Sequence, residues 1–290
     1  MFIFILLVIC IVFIVVSTTR LKLHPFLALL TVCFLFGIFS GMPLGLIVQS
    51  IETGFGGTIG KIGIVIIAGI IIGIFLEKSG GAFAMAGMFL NLIGAKRVYP
   101  AMALIGYIIS IPVFCDSGFI ILSPLNKSLS KRAGLSVFGT SIALALGLLS
   151  THTMVPPTPG PIAAAGILNA DLGLVIIIGL PVSLLVLIVT TLFAVKIAGK
   201  VNIVTDSQPD QGETEQKLLN VPPAWKSFLP VIIPIVLIVL SSITEYPTHP
   251  FGTGQVKSVI SFIGNPVVAL LTGMILSFTL PVKFEKKMLA

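Results

Sequence analysis

The chain is 290 residues long, carries a formal net charge of +7, and is 56% hydrophobic but only 9% charged. About a quarter of the residues of a soluble domain are charged, so this composition excludes an ordinary water-exposed surface and predicts an integral membrane protein. The basic residues stand in small groups at the ends of apolar runs, which indicates membrane topology and not nucleic-acid binding.

The first apolar runs predict three membrane-crossing helices. Residues 2–16 end at a basic group that the positive-inside rule places in the cytoplasm, so the N-terminus is predicted to lie outside. A second span, residues 25–47, leads to a short outer loop that contains Glu52, and a third span, residues 59–76, returns inward. Residues 81–94 are apolar but short, and we expect them to lie in the interface or to dip partway into the membrane.

Residues 98–126 are predicted to form a re-entrant hairpin. They lie between two basic groups that both belong in the cytoplasm. The segment has 29 residues, whereas two complete crossings by helices need about 40. The chain is therefore expected to enter the membrane, to turn near residues 111–118, and to leave on the same side.

A broken helix is predicted within residues 135–169. Four prolines fall within six residues there, and each lacks an amide donor and clashes with the preceding helical turn. A first half-helix is expected before the prolines and a second after them, together completing one outward crossing. The prolines also allow an extracellular loop at this point. These prolines are Pro156, Pro157, Pro159 and Pro161.

Residues 201–228 form a polar segment that predicts a flexible cytoplasmic linker. It separates a first transmembrane repeat, residues 1–200, from the start of a second one, residues 229–290, in which residues 260–280 are expected to cross inward. The predicted topology places fifteen of the Lys and Arg residues inside and two outside.

Asp116, Ser117 and Gly118 at the predicted hairpin tip are the first candidate site. Asp116 is the carboxylate in the interior of a predicted intramembrane element, where a charge is costly and usually functional, which makes it a candidate proton carrier. The alternative is structural: an Asp at this place can cap the second hairpin helix through a first-turn amide.

His152, Thr153, Pro157 and Thr158 at the predicted break are the second candidate site. Transporters bind substrates at helix breaks in mid-membrane, because half-helix N-termini attract anions and unwound backbone offers polar groups. The imidazole titrates near neutral pH, which suits proton transfer. The alternative is a structural histidine whose ring is satisfied by a backbone carbonyl.

Three motifs resemble those of the gluconate:proton symporter (GntP) family, and the likeness spans essentially the whole chain. The resemblance implies proton-driven carriage of gluconate, related sugar acids or D-serine, at a site that the hairpin and break motifs line. It also implies inverted repeats, re-entrant hairpins and elevator-like motion in a homodimer. The motifs are the run from Phe114 to Leu125, the run from Thr151 to Gly166, and the early run from Gly54 to Gly60.

These observations predict an all-α polytopic membrane protein built as the first half of an inverted-repeat transporter, and we expect a C-terminally truncated chain. The expected function is proton-coupled uptake of gluconate or a related sugar acid across the inner membrane, without a cofactor. The alternatives are a D-serine symporter, a passive channel, and an inactive fragment or structural membrane subunit. An intramembrane hydrolase using Cys115 or a serine with His152 finds no support in a catalytic motif.

Overall fold

The computed structural model describes residues 1–93, 97–201, 221–245 and 254–280. This part of the chain is helical and has no strand, which confirms the predicted all-α class. A short 3-10 turn, Ala198–Lys200, follows the ninth helix. The helices in chain order are α1 (Phe2–Thr19), α2 (Pro25–Phe39), α3 (Leu44–Lys78), α4 (Gly81–Ile93), α5 (Val98–Ile109), α6 (Cys115–Arg132), α7 (Val137–His152), α8 (Pro159–Leu168), α9 (Leu172–Lys196), α10 (Ala224–Thr244), α11 (Gln255–Ile263) and α12 (Pro266–Ser277).

Helices long and apolar enough to cross a membrane are abundant. Over the described residues four helices meet that requirement by themselves, namely α1, α3, α9 and α10. A fifth candidate is the pair α11 and α12, which together are long and apolar enough but are bent by 59° at their junction. The remaining apolar helices are shorter than a full crossing, and the two predicted interruptions lie among them, between α5 and α6 and between α7 and α8.

The boundary between the second and third predicted spans was placed wrongly. The turn lies at residues 40–43, where Gly41 has φ +81° and Pro43 follows, and not around Glu52. Glycine adopts this left-handed conformation without steric cost, and proline cannot continue a helix. The Gly-rich segment after Glu52 is helical and belongs to α3. Helix α3 is therefore 35 residues long, about 52 Å.

The last predicted span also differs from the structure. Residues 260–280 do not form one helix, because Gly264 ends α11 and Asn265 caps α12 by accepting a hydrogen bond from the Val267 amide at 3.0 Å. The predicted linker lies mostly outside the described residues, as do residues 281–290. Helix α10 begins at Ala224, so residues 224–228 at the end of the predicted linker are helical.

The chain divides into two compact units, residues 1–61 and residues 62–290. In the first unit, Phe26 and Phe55 contact edge to face at 6.4 Å between ring centroids. In the second unit, the first half of α4 is buried in the main apolar core.

Glycine allows α5 and α7 of the second unit to pack with their backbones in contact. A Cβ atom built on Gly106 would lie 2.6 Å from the Leu144 carbonyl oxygen and 2.9 Å from the Leu148 amide nitrogen. Across the same interface, a Cβ on Gly147 would overlap the Ala103 carbonyl. Small residues at such positions let membrane helices approach closely, and this contact holds the first hairpin arm against the first half of the broken helix.

Replacing Gly106 by alanine is expected to destabilise the protein, because the new methyl group meets backbone atoms that cannot rotate away. We expect the free energy of unfolding to fall by about 1–3 kcal/mol, as for other overpacked cores. Thermal unfolding of the detergent-solubilised chain, followed by circular dichroism, measures the change. Gly87→Ala is the matched control, since no atom lies within 4 Å of a Cβ built there. Equal melting temperatures for the two variants would contradict this packing.

Candidate functional site at two helix breaks

The tip of the predicted hairpin lies at residues 110–114, between α5 and α6. Pro112 and Val113 are buried there, whereas Asp116 is exposed. Asp116 is the second residue of α6, and its Oδ1 accepts a weak hydrogen bond from the Cys115 thiol at 3.7 Å. Phe114 occupies the cap position, and no side chain caps this helix end. The structural alternative for Asp116, that of a helix cap, is therefore wrong.

The second break lies at residues 153–158, between α7 and α8. Val155, Pro156 and Thr158 are buried, so much of this segment packs inside the protein. The Thr158 hydroxyl donates to the Val155 carbonyl at 2.7 Å, which satisfies a backbone group of the break. Thr153 is exposed, and its hydroxyl donates to the Leu149 carbonyl at 2.8 Å.

The structure brings the hairpin tip and the end of α7 together at His152. The His152 and Phe114 rings lie 5.8 Å apart between centroids, with an angle of 57° between their planes. Asp116 follows Phe114 by two residues, in the first turn of α6. Gly118, one turn into α6, is buried against Leu148, one turn before His152. The structure therefore brings the two candidate sites predicted from separate motifs into contact.

His152 is half-buried, and its Nδ1 atom is buried without a hydrogen-bond partner. A histidine held as a purely structural residue would have that nitrogen paired, because an unpaired buried polar atom costs free energy. No backbone carbonyl pairs with Nδ1, so the alternative of a purely structural histidine finds no support at that atom. The free nitrogen makes the imidazole available to exchange a proton or to bind a polar group.

Two glycines of α3 contact both breaks through close backbone approach. A Cβ built on Gly69 would lie 3.2 Å from the Pro157 carbonyl oxygen, and one on Gly73 would lie 2.6 Å from the Pro112 carbonyl oxygen. Residues four apart share one helix face, so one face of α3 supports the hairpin tip and the Pro-rich break together. Gly179 of α9 approaches the same break, with its Cβ position 2.8 Å from the Met154 carbonyl oxygen.

A small cavity of about 10 Å³ lies beside the Pro-rich break. All its lining residues are apolar, among them Pro156 and Pro157 of the break and Ile162 of α8. This volume is no more than a single water molecule needs. The cavity is therefore a packing void, and the polar surface around Asp116 and His152 is the better candidate for contact with a solute.

Sequence reasoning identified the titratable residues of the site but missed their supports. Phe114 begins the motif that runs to Leu125, but only the fold shows that its ring contacts His152. Gly69 and Gly73 are visible in the sequence as two small residues four positions apart. The sequence does not show which backbone atoms they contact. Among the described residues, no group of three His, Cys, Asp or Glu side chains could hold a metal ion.

Apolar spans, two interrupted helices and a titratable pair where the interruptions meet define the class of multi-pass helical membrane proteins with a polar site built from broken helices. Comparison with known proteins gives the family. The chain belongs to the GntP permease family, since the family described as GntP family permease matches residues 1–289. This is a family of permeases and not of enzymes.

Several relatives cover most of this chain. It is 36% identical to the inner membrane permease YgbN of Escherichia coli (strain K12), over 90% of this chain and 59% of that protein. It is 32% identical to a gluconate permease of Pseudomonas aeruginosa, over 91% of this chain and 58% of that protein. It is 33% identical to the D-serine transporter DsdX of Escherichia coli (strain K12), over 94% of this chain and 61% of that protein.

The chain thus spans less than two thirds of the length of these relatives. No solved structure gives a significant match to the chain.

The contact between α3 and the hairpin tip can be tested without a substrate. In a chain carrying Cys10→Ser and Cys33→Ser, Cys115 is the remaining cysteine, and it is partly exposed beside the tip. Gly73→Ala is expected to push Pro112 away and to lower the free energy of unfolding by about 1–3 kcal/mol, since overpacked contacts cost that much. The rate of maleimide labelling at Cys115 should rise, and Gly87→Ala should leave it unchanged. An unchanged rate in Gly73→Ala would contradict the contact.

Proposed function

We propose that this chain forms the substrate site of a secondary active transporter that takes up gluconate, or a related small hydroxy-carboxylate, together with protons. The observation that carries the proposal is the convergence of two helix breaks at His152, whose ring lies 5.8 Å from the ring of Phe114, with Asp116 two residues after Phe114 at the start of α6. An ionisable pair inside a membrane protein is costly and is retained where ions or protons move. The similarity to a protein named as a gluconate permease supports the substrate class.

In this proposal Asp116 and His152 carry the coupled proton. The carboxylate is exposed and can meet a proton from solution, and the neighbouring imidazole has a free buried nitrogen that can receive it. Histidine suits this role because its unperturbed pKa lies near physiological pH. One proton changes the net charge of the pair from −1 to 0, so a substrate anion that arrives beside it meets no net repulsion, which couples the binding of the two.

The substrate carboxylate is assigned to the N-termini of α6 and α8. No side chain caps either helix through a hydrogen bond. Asp116 stands in the first turn of α6, and of the first three residues of α8 only Gly160 has an amide N–H, since Pro159 and Pro161 have none. The backbone at Gly118 and the hydroxyls of Ser117, Thr153 and Thr158 supply further polar groups, and Pro157 shapes the break. Thr153 and Thr158 already donate to carbonyls, so their oxygens would act as acceptors for substrate hydroxyls.

D-Serine is the second candidate substrate, and the relative named as a D-serine transporter favours it. D-Serine carries a carboxylate and a hydroxyl as gluconate does, but it adds an ammonium group. The exposed Asp116 carboxylate could pair with that ammonium. The ammonium group thus separates the two candidates, because only D-serine offers the Asp116 carboxylate an opposite charge.

The same proposal includes a topology. The chain lies in the inner membrane with its N-terminus outside, supported by the fifteen to two distribution of basic residues. Residues 98–126 re-enter from the cytoplasm, and residues 135–169 cross as a broken helix. Residues 229–290 begin an inverted second repeat, and two copies of the protein form a dimer. The bend between α11 and α12 agrees with an interrupted element in the second repeat.

Uptake of radiolabelled gluconate into proteoliposomes containing this chain tests the proposal. We expect uptake to rise when an inward proton gradient is imposed and to be abolished by a protonophore. Uptake that ignores the gradient would favour a passive channel. Competition by unlabelled D-serine, measured in the same vesicles, distinguishes the second substrate, and no uptake of either compound would contradict transport by this chain.

Asp116→Asn is expected to abolish gradient-stimulated uptake, because asparagine cannot exchange a proton. A drop of about 100-fold in the gradient-driven rate is expected, the scale typical of losing a positioned proton-transfer group. Asp171→Asn is the matched control. Asp171 caps α9 by accepting from the Leu174 amide at 2.8 Å, and asparagine caps equally well. Full proton-coupled uptake by Asp116→Asn would refute the carrier role.

A further inference from the structure

We propose that Thr151 is a positioning residue that fixes His152 beside the hairpin tip. Its hydroxyl donates to the backbone carbonyl of Tyr107 at 2.6 Å, across 44 positions of sequence. Both residues are buried. The role assigned to His152 rests on the proposed function, whereas the hydrogen bond itself is a property of the fold.

The Tyr107 carbonyl needs a donor because α5 ends two residues later. In a continued helix the Ile111 amide would reach it, but that amide donates to the Ile108 carbonyl at 3.3 Å. The next carbonyl, at Ile109, accepts from the Val113 amide at 3.1 Å. The last carbonyls of a helix must find partners outside the regular ladder, and a membrane offers none. The Thr151 hydroxyl of α7 donates the missing hydrogen bond to the Tyr107 carbonyl.

Tyr107 is itself anchored on its other side. Its phenol donates to the Leu180 carbonyl of α9 at 2.9 Å and lies 3.0 Å from the Ser183 hydroxyl, which is buried. Thr151 is thus bound to a residue that α9 holds in place. Buried hydrogen bonds of this kind rigidify a site, since breaking one leaves a polar group unpaired in a medium of low dielectric constant.

Thr151 immediately precedes His152, so its hydrogen bond also constrains the position of the imidazole. With residue 151 tied to the end of α5, the imidazole is set at the tip that begins three residues after Tyr107. Loss of the hydroxyl frees the end of α7 to shift relative to Phe114 and Asp116. Displacements of about 1 Å at a reacting group can cost 100-fold in rate.

The test compares Thr151→Val, which removes the hydroxyl at nearly constant volume, with Thr151→Ser, which keeps it. Thr140→Val is the matched control, because Thr140 is a buried threonine of the same helix whose hydroxyl pairs with Ser130 at the opposite end. Each variant is measured for gluconate uptake driven by a proton gradient, for melting temperature, and for maleimide labelling of Cys115 in the Cys10→Ser, Cys33→Ser background.

We expect Thr151→Val to lower the maximal uptake rate at least about tenfold, with little change in KM, and to speed Cys115 labelling. Thr151→Ser restores both, whereas Thr140→Val lowers the melting temperature but alters neither. Uptake and labelling in Thr151→Val equal to those of Thr140→Val would overturn the positioning role. If the unsubstituted chain takes up nothing, the proposed function fails, and the labelling rates with serine rescue decide the role of Thr151 alone.

Discussion

The structure depends on one constraint: a backbone that leaves its helix inside a membrane must find hydrogen-bond partners within the protein. Lipid supplies neither donors nor acceptors. Two segments of this chain, residues 110–114 and residues 153–158, leave the helical ladder, and both are enclosed by other helices. Hydroxyl groups replace the missing amides, as when Thr158 donates to the Val155 carbonyl. The breaks are therefore stable only as parts of one packed unit.

Close packing around the breaks requires residues without side chains at the contact points. Gly69 and Gly73 let α3 touch the carbonyls of Pro157 and Pro112, and Gly179 does the same for α9 against Met154. Any larger residue would separate the helix from the irregular backbone and leave a void or a strained contact. The high glycine content is thus explained at these positions by the need to enclose irregular backbone.

The same enclosure explains why a titratable pair can exist at this place. Asp116 and His152 come from different interrupted elements and meet only because α5 and α7 pack with their backbones in contact. Each break ends in the N-terminus of a helix, and in the proposed function these helix ends receive the substrate anion. A transporter of an organic acid with protons needs both features within one site, and membership of a permease family is consistent with that use.

The sequence by itself determined the membrane class, the family, the two interruptions and the titratable residues, because these depend on composition, on proline chemistry and on the spacing of charges. Local patterns misplaced the turn before α3 and missed the bend at Asn265, although Gly41, Pro43 and Pro266 were visible as signals. Only the tertiary structure decided that the ring of Phe114 contacts His152 and that the Thr151 hydroxyl donates to the Tyr107 carbonyl at the end of α5. These contacts join residues about 40 positions apart, and periodicity along one helix carries no information about which backbone a distant side chain will meet.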